Sequence, residues 1–224
     1  MPQPSRRSRS PRTPRTPRWR RRPEARPEEI LDAALEVFGA EGFARARLDD
    51  VARRAGVSKG TLYRYFDSKE TLFREMIRAK VVAAIAETEG IIEQHRGPWR
   101  DLLVAIVRRL YHILRHDGLS RISRLVGSEL ASFPELGHYY YEEAIVRARR
   151  MLDLVFAGGI ASGEFREVAH GYASRALPEL LIHTTQTQVF FQRFDPDALS
   201  DDTVVEGLLD FVLGGVLARP ADAS

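Results

Sequence analysis

The chain has 224 residues, of which 44% are hydrophobic, and a formal net charge of +3. That length fits one large domain or a small one joined to a medium one, and the hydrophobic share can build a core. The absence of cysteine excludes disulfides, thiolate zinc sites and cysteine nucleophiles and fits a reducing cytoplasm, while no apolar stretch approaches the ~18 residues that span a bilayer.

The charge is unevenly placed. Residues 1–26 hold ten arginines and one acid, Glu24; removing them from totals of 34 bases and 31 acids leaves 24 and 30 for residues 27–224. The first segment is thus +9 and the remainder −6. Arginines alternate there with Pro2, Pro4, Pro11, Pro14, Pro17 and Pro23, so mutual repulsion and missing amide donors predict a disordered basic arm. Such an arm can lie along phosphates or enter a minor groove; a solvated tail is the alternative. Arg6-Arg7 and Arg20-Arg21-Arg22 precede no apolar run and make poor export signals.

From Pro27 the pattern turns helical. Pro27 suits a first helical position, and Glu28 and Glu29 sit at the positive end of the dipole. Ile30, Ala34 and Val37 share a face beside Leu31, Leu35 and Phe38, and Gly42 stops the helix. Leu48, Val51, Ala52 and Ala55 form a second stripe ended by Gly56. Ser58 opens a third helix and Ser68 a fourth, which runs to about Gln94, before Gly97-Pro98 breaks the chain. Helices follow at about 99–115, 121–132, 135–161, 170–191 and 201–217. No segment alternates with period two, so the expected fold is all-α.

The stretch from Arg47 to Phe66 has the spacing of a helix-turn-helix. Gly56 supplies a positive-φ stop. Val57 and Leu62 flank the cap Ser58 as a hydrophobic staple, and the Ser58 hydroxyl can accept an early amide of the third helix. Leu62 and Phe66, four apart, face inward; Gly60, Thr61, Tyr63 and Arg64 then point outward, with Lys59 and Tyr65 at the margins. Two tyrosines, a lysine and an arginine on one exposed face suit a groove reader, with Gly60 permitting close approach to DNA and tyrosine hydroxyls available to phosphates; a solvated helix face is the bland alternative. Lys69, at the first position of the fourth helix, opposes the macrodipole. A docked phosphate would give it a purpose there, and helix stability offers none.

Residues 30–77 resemble the DNA-binding domain of the TetR/AcrR family of bacterial regulators, on Ala33-Ala34-Leu35, Phe38, Gly42-Phe43, Val51-Ala52, the run Ala55 to Phe66, Ser68-Lys69-Glu70 and Leu72. The resemblance implies that Lys59, Gly60, Thr61, Tyr63, Tyr65 and Lys69 face operator DNA and that Ser58 caps the recognition helix. Arg47 stands where the family usually has Thr or Ser; it cannot cap, and an arginine–phosphate contact is its expected replacement. A second segment, Phe133-Pro134-Glu135-Leu136 through Ile160 to Arg166, resembles a common C-terminal subgroup and implies control by a small molecule. The expected organisation is a basic arm over 1–26, a three-helix DNA-binding domain over 27–84 with its motif at about 47–66, and a helical ligand-binding and dimerisation domain over 85–224.

Apolar residues wrap much of the last helix and the preceding one offers more, and Leu177, Leu181, Phe191, Leu208, Phe211 and Val212 are the expected homodimer interface, an arrangement the resemblance also implies; burial within the monomer is the alternative. Trp99, His112, Tyr140, Met151, Phe156 and His183 are the expected pocket for an inducer, with plain core packing as the alternative. His112 and His116 lie four apart without a third ligand, so no metal is expected, nor any cofactor. An enzyme is not expected, because the chain lacks a phosphate-cradling glycine loop, a nucleophile elbow and a metal-binding His-Glu set. The resemblance implies a cytoplasmic, nucleoid-bound repressor released from a palindromic operator by its ligand. The alternative is a non-specific nucleic-acid-binding protein driven by the arm.

Overall fold

Helix α1 (Pro27–Glu41) buries Ile30, Leu31, Ala34, Leu35, Val37 and Phe38 on the face that the apolar spacing predicts. The computed structural model describes residues 27–167 and 170–218, so the basic arm over 1–26 lies outside it. Among the described residues the chain forms helices without a strand, apart from one antiparallel bridge between Phe165 and Leu217. Helices α2 (Leu48–Ala55) and α3 (Lys59–Tyr65) follow α1. Helix α4 is a continuous run of Lys69–Ile77, a π-helical turn Arg78–Val82 and Ala83–Gln94. Helix α5 is Trp99–His116, and α6 is Leu119–Glu129 with a 3₁₀ turn Leu130–Ser132 behind it. Helix α7 again joins three parts, Pro134–Tyr140, a π turn Tyr141–Val146 and Arg147–Ala161. Helices α8 (His170–Phe191) and α9 (Asp201–Val216) complete the fold.

Three of these helices start on the same local device. Ser58, Ser68 and Ser200 each accept the amide of the threonine three residues on, at 3.0, 3.0 and 3.2 Å, and each hydroxyl also meets that threonine's hydroxyl. Each cap satisfies an amide that the helix leaves open and contributes ~1 kcal/mol. Helix α5 has Pro98 at its cap, which carries no acceptor side chain. Glu164 serves from 65 residues away, accepting the Trp99 and Arg100 amides at 3.1 and 3.0 Å.

The buried side chains make one contiguous core from Ile30 to Val212. Its aromatic centre is Phe43, whose ring lies 5.3 Å from Phe38, 5.3 Å from Phe73 and 4.9 Å from Phe133, so residues of α1, α4 and the α6–α7 junction meet at one side chain. Residue 84, the expected domain boundary, falls inside α4 rather than in a linker. The first part of α4 packs on α1 and the last on α5 and α7. The two π turns, which replace the unbroken helices that the sequence predicts over 69–94 and 135–161, pack against one another. They are clamped from both sides. Tyr139 donates to the Arg74 carbonyl at 3.3 Å, and Arg147 grips Glu89 with two bonds of 2.8 and 2.5 Å.

Candidate nucleic-acid interface and ligand cavity

The α2–α3 corner is built as its spacing predicts. Gly56 adopts φ 74° at the end of α2 and Ser58 caps α3. Val57 and Leu62 are buried together, as is Phe66, so the staple and the inward face of α3 are formed. The opposite face is open: Tyr63 is 50% and Tyr65 42% exposed, with Lys59, Gly60 and Arg64 also exposed and Thr61 half-buried. Arg64 folds over the Tyr65 ring, 5.0 Å from its centroid, and donates to its hydroxyl at 3.2 Å. Lys59 pairs with Asp49 of α2, so its ammonium is held at the corner of the two helices. Arg47 precedes α2 in extended conformation, makes no cap hydrogen bond and is exposed, as expected of a residue that cannot cap.

Lys69 is placed differently from its expected role. Its ammonium donates to the Phe43 and Ala44 carbonyls at 2.7 and 3.1 Å and lies 4.6 Å from the centre of the Phe43 ring. The inference that only an anion explains this lysine is therefore corrected: it ties the start of α4 to the α1–α2 loop. Sequence spacing could not reveal this, because the acceptors are main-chain atoms 25 and 26 residues away.

A cavity of about 100 Å³ opens between α4, α5, α6, α7 and α8. Val81 and Ala144, one from each π turn, line it with Ile85, Leu114, Met151 and Leu181. Among the described residues its polar groups are the hydroxyls of Ser123 and Tyr140, and no Lys, Arg, His, Asp or Glu lines it. Burial pushes the Tyr140 phenol up to about 12, against the opposing effect of its hydrogen bond with Ser123, so it is uncharged at neutral pH. Pro178 also lines the cavity from inside α8; its missing amide leaves that helix one bond short.

Of the expected pocket residues, the structure brings Tyr140 and Met151 to this cavity and places four elsewhere. His112 and His183 are exposed. Trp99 packs over Gly158, and Phe156 is buried against Phe165, both at the α5–α7 end of the fold. Aromatic type alone misled there, whereas small residues four apart on α7, Ala144 and Ala148, mark the wall that recedes.

The expected dimer residues also divide. Leu177, Leu181, Leu208 and Val212 are buried within the protomer, which removes them from a subunit surface. Phe191 and Phe211 are 54% and 72% exposed, and Tyr172, Val189, Phe190 and Phe194 add exposed apolar area on and beside the same two helices. Among the described residues no group of three or more His, Asp or Glu is arranged to hold a metal ion, and no helix is long and apolar enough to cross a membrane.

Comparisons with known proteins match both halves of this architecture. A family model described as bacterial regulatory proteins, tetR family, matches residues 30–76, and one described as the C-terminal domain of AefR-like transcriptional repressors matches residues 101–214. The chain is 25% identical over 194 residues to the fatty acid metabolism regulator protein of Bacillus subtilis, covering 84% of this chain and 94% of that one. It is 28% identical over 142 residues to the HTH-type transcriptional repressor KstR2 of Mycobacterium tuberculosis, covering 63% and 70%. Among solved structures it is similar to the transcriptional regulator FadR from Bacillus subtilis in complex with stearoyl-CoA, with a TM-score of 0.70 at 23% identity over 84% of this chain and 98% of that one. At that identity the likeness is one of fold.

Proposed function

The chain belongs to the TetR family of bacterial regulatory proteins, and we propose that it is a ligand-released repressor that reads a palindromic operator as a homodimer. The observation that carries this reading is the two-sided character of α3, with Leu62 and Phe66 sealed into the core and Lys59, Tyr63, Arg64 and Tyr65 presented outward. In the major groove that face offers Lys59, Thr61 and Arg64 to bases or phosphates and the tyrosine hydroxyls to phosphates, while Gly60 allows close approach. Ser58 holds the helix start. Arg47 adds a phosphate contact from α2. Lys69 acts at second hand, by fixing the α1–α2 loop. The protein works in the cytoplasm, on the nucleoid when bound.

The twofold partner packs on the exposed aromatic residues of α8 and α9, presenting two recognition helices about 34 Å apart, one turn of DNA. The regulating ligand inserts an uncharged apolar portion into the cavity, because among the described residues the lining supplies two hydroxyls and no ion to neutralise a charge. A long acyl chain fits that chemistry, and a relative of this chain is a fatty acid metabolism regulator. A state with the cavity occupied is favoured by the ligand's differential affinity, and in it the two α3 helices no longer match the operator spacing.

A footprint on DNA flanking the protein's own gene tests the reading. Wild-type protein is expected to protect an inverted repeat, Lys59→Ala with Tyr63→Ala to lose protection while remaining folded, and deletion of residues 1–26 to keep the same footprint with a shallower salt dependence. A footprint retained by the double variant overturns the site. Binding abolished by the deletion alone returns the chain to a non-specific, arm-driven protein.

A further inference from the structure

Ala44, in the loop between α1 and α2, is held at both of its polar ends by charged side chains. Its amide donates to Glu129 Oε2 at 3.1 Å, and its carbonyl accepts from Lys69 Nζ at 3.1 Å. The polarity is matched, carboxylate to N–H and ammonium to C=O, so both are charge-assisted bonds. Lys69 reaches in from α4 within the DNA-reading half. Glu129 reaches in from the last turn of α6, a helix whose beginning lines the cavity through Leu119 and Ser123.

The fit around Glu129 is close. Gly42 lies beneath it at φ 79°, and a Cβ at that position would fall 2.7 Å from Glu129 Oε1. A side chain there would be strained by its backbone and would displace the carboxylate. Next to this contact Phe133 seats its ring edge-on against Phe43. Among the described residues Glu129 has no basic partner within salt-bridge distance, so the Ala44 amide is the hydrogen bond its carboxylate makes.

We infer that Glu129 is a positioning residue for operator reading: it sets the α1–α2 loop, and with it the start of α2 and Arg47, according to where α6 stands. Ser123 and Glu129 are six residues apart on one helix, about 9 Å along its axis. A side chain or ligand that displaces α6 at the cavity therefore moves the carboxylate that holds Ala44. This route runs beside α4 and enters the DNA-reading half from the opposite side of the loop. It rests on the reading of α2 and α3 as the operator face.

Glu129→Met and Glu129→Gln test it, measured by hydrogen exchange at the Ala44 amide and by operator affinity. Methionine keeps the length and removes the acceptor; glutamine keeps an acceptor oxygen. Glu129→Met is expected to speed Ala44 exchange and weaken operator binding about tenfold, and Glu129→Gln to restore most of both. Ser123→Phe, which intrudes on the cavity from α6, is expected to change operator affinity in the wild-type background and much less in Glu129→Met; Leu119→Phe replaces it if thermal melting shows that Ser123→Phe does not fold. Unchanged Ala44 exchange and affinity in Glu129→Met overturn the positioning role, and additive effects overturn the link to the cavity. Failure of the wild-type protein to bind any operator would instead overturn the reading beneath it.

Discussion

Lys69 directs its ammonium onto the carbonyl of Phe43, 2.7 Å away and 26 residues earlier in the chain, and lies over the ring of the same residue. A lysine at the start of a helix works against the macrodipole, and these contacts outweigh that cost without any DNA. Lys69→Met should therefore destabilise the free protein by about 1–3 kcal/mol. Urea denaturation in the absence of DNA checks this; an unchanged midpoint would mean that the lysine serves an anion alone.

Phe211 is exposed on α9 while Leu208, one turn earlier, is buried. Phe211→Glu is expected to leave the protomer folded and convert the dimer to a monomer of 25.4 kDa, read by light scattering, with loss of operator binding. Leu208→Glu should instead unfold the protomer, because it places an unpaired charge in the core. A Phe211→Glu dimer of undiminished stability would move the interface elsewhere.

The Arg100 and Trp99 amides and the Ser162 hydroxyl hold the Glu164 carboxyl below its ordinary range, with the Arg100 amide the strongest of these influences. A carboxyl whose folded pKa is depressed contributes stability above its unfolded value, near about 4.3, and loses it as pH falls through the lower folded value. Glu164→Gln should cost about 1 kcal/mol or less at pH 7, given the exposure of the group. The gap between the two proteins should close below about pH 4. Paired unfolding curves across pH 3–7 measure it, and a gap that persists at pH 3 would show that ionisation is irrelevant to the cap.

Ala144 lines the cavity from the α7 π turn. Ala144→Leu should occupy the space, abolish any thermal stabilisation by stearoyl-CoA and leave operator binding within a few-fold of wild type, at a packing cost of about 1–3 kcal/mol. Stabilisation that survives the substitution would put the acyl chain somewhere else.

The first three helices were legible because their signals are local. A serine cap, a staple and a glycine stop act within a few residues, and each is found where the spacing puts it. The last two helices were less so. Both carry apolar residues on more than one face, and periodicity cannot tell a stripe that meets its own core, such as Leu177 and Leu181, from one left exposed, such as Phe190 and Phe191. The contacts of Lys69 and Glu129 are to main-chain atoms far along the sequence, which no side-chain pattern encodes.

The π turns did leave a trace. Phe73, Ile77, Val81 and Ile85 are buried at unbroken four-residue steps, as are Leu136, Tyr140, Ala144, Leu152 and Phe156, with half-buried Ala148 completing the series. Each such step overshoots an α-helical turn by about 40°, so a long run of them cannot stay on one face of an ideal helix. Widened turns absorb the excess.

That widening gives α4 a phase. The angular offset between the helix's two ends, one carrying the DNA-reading corner and the other walling the cavity, is set by a count of residues as much as by any contact. Removing one residue from Arg78–Val82 would rewind the shaft by about 100° and swing α3 around it with every side chain of its reading face unaltered. A regulator of this shape can thus be retuned by a single-codon deletion far from the DNA, and two chains with the same recognition helix can present it at different angles.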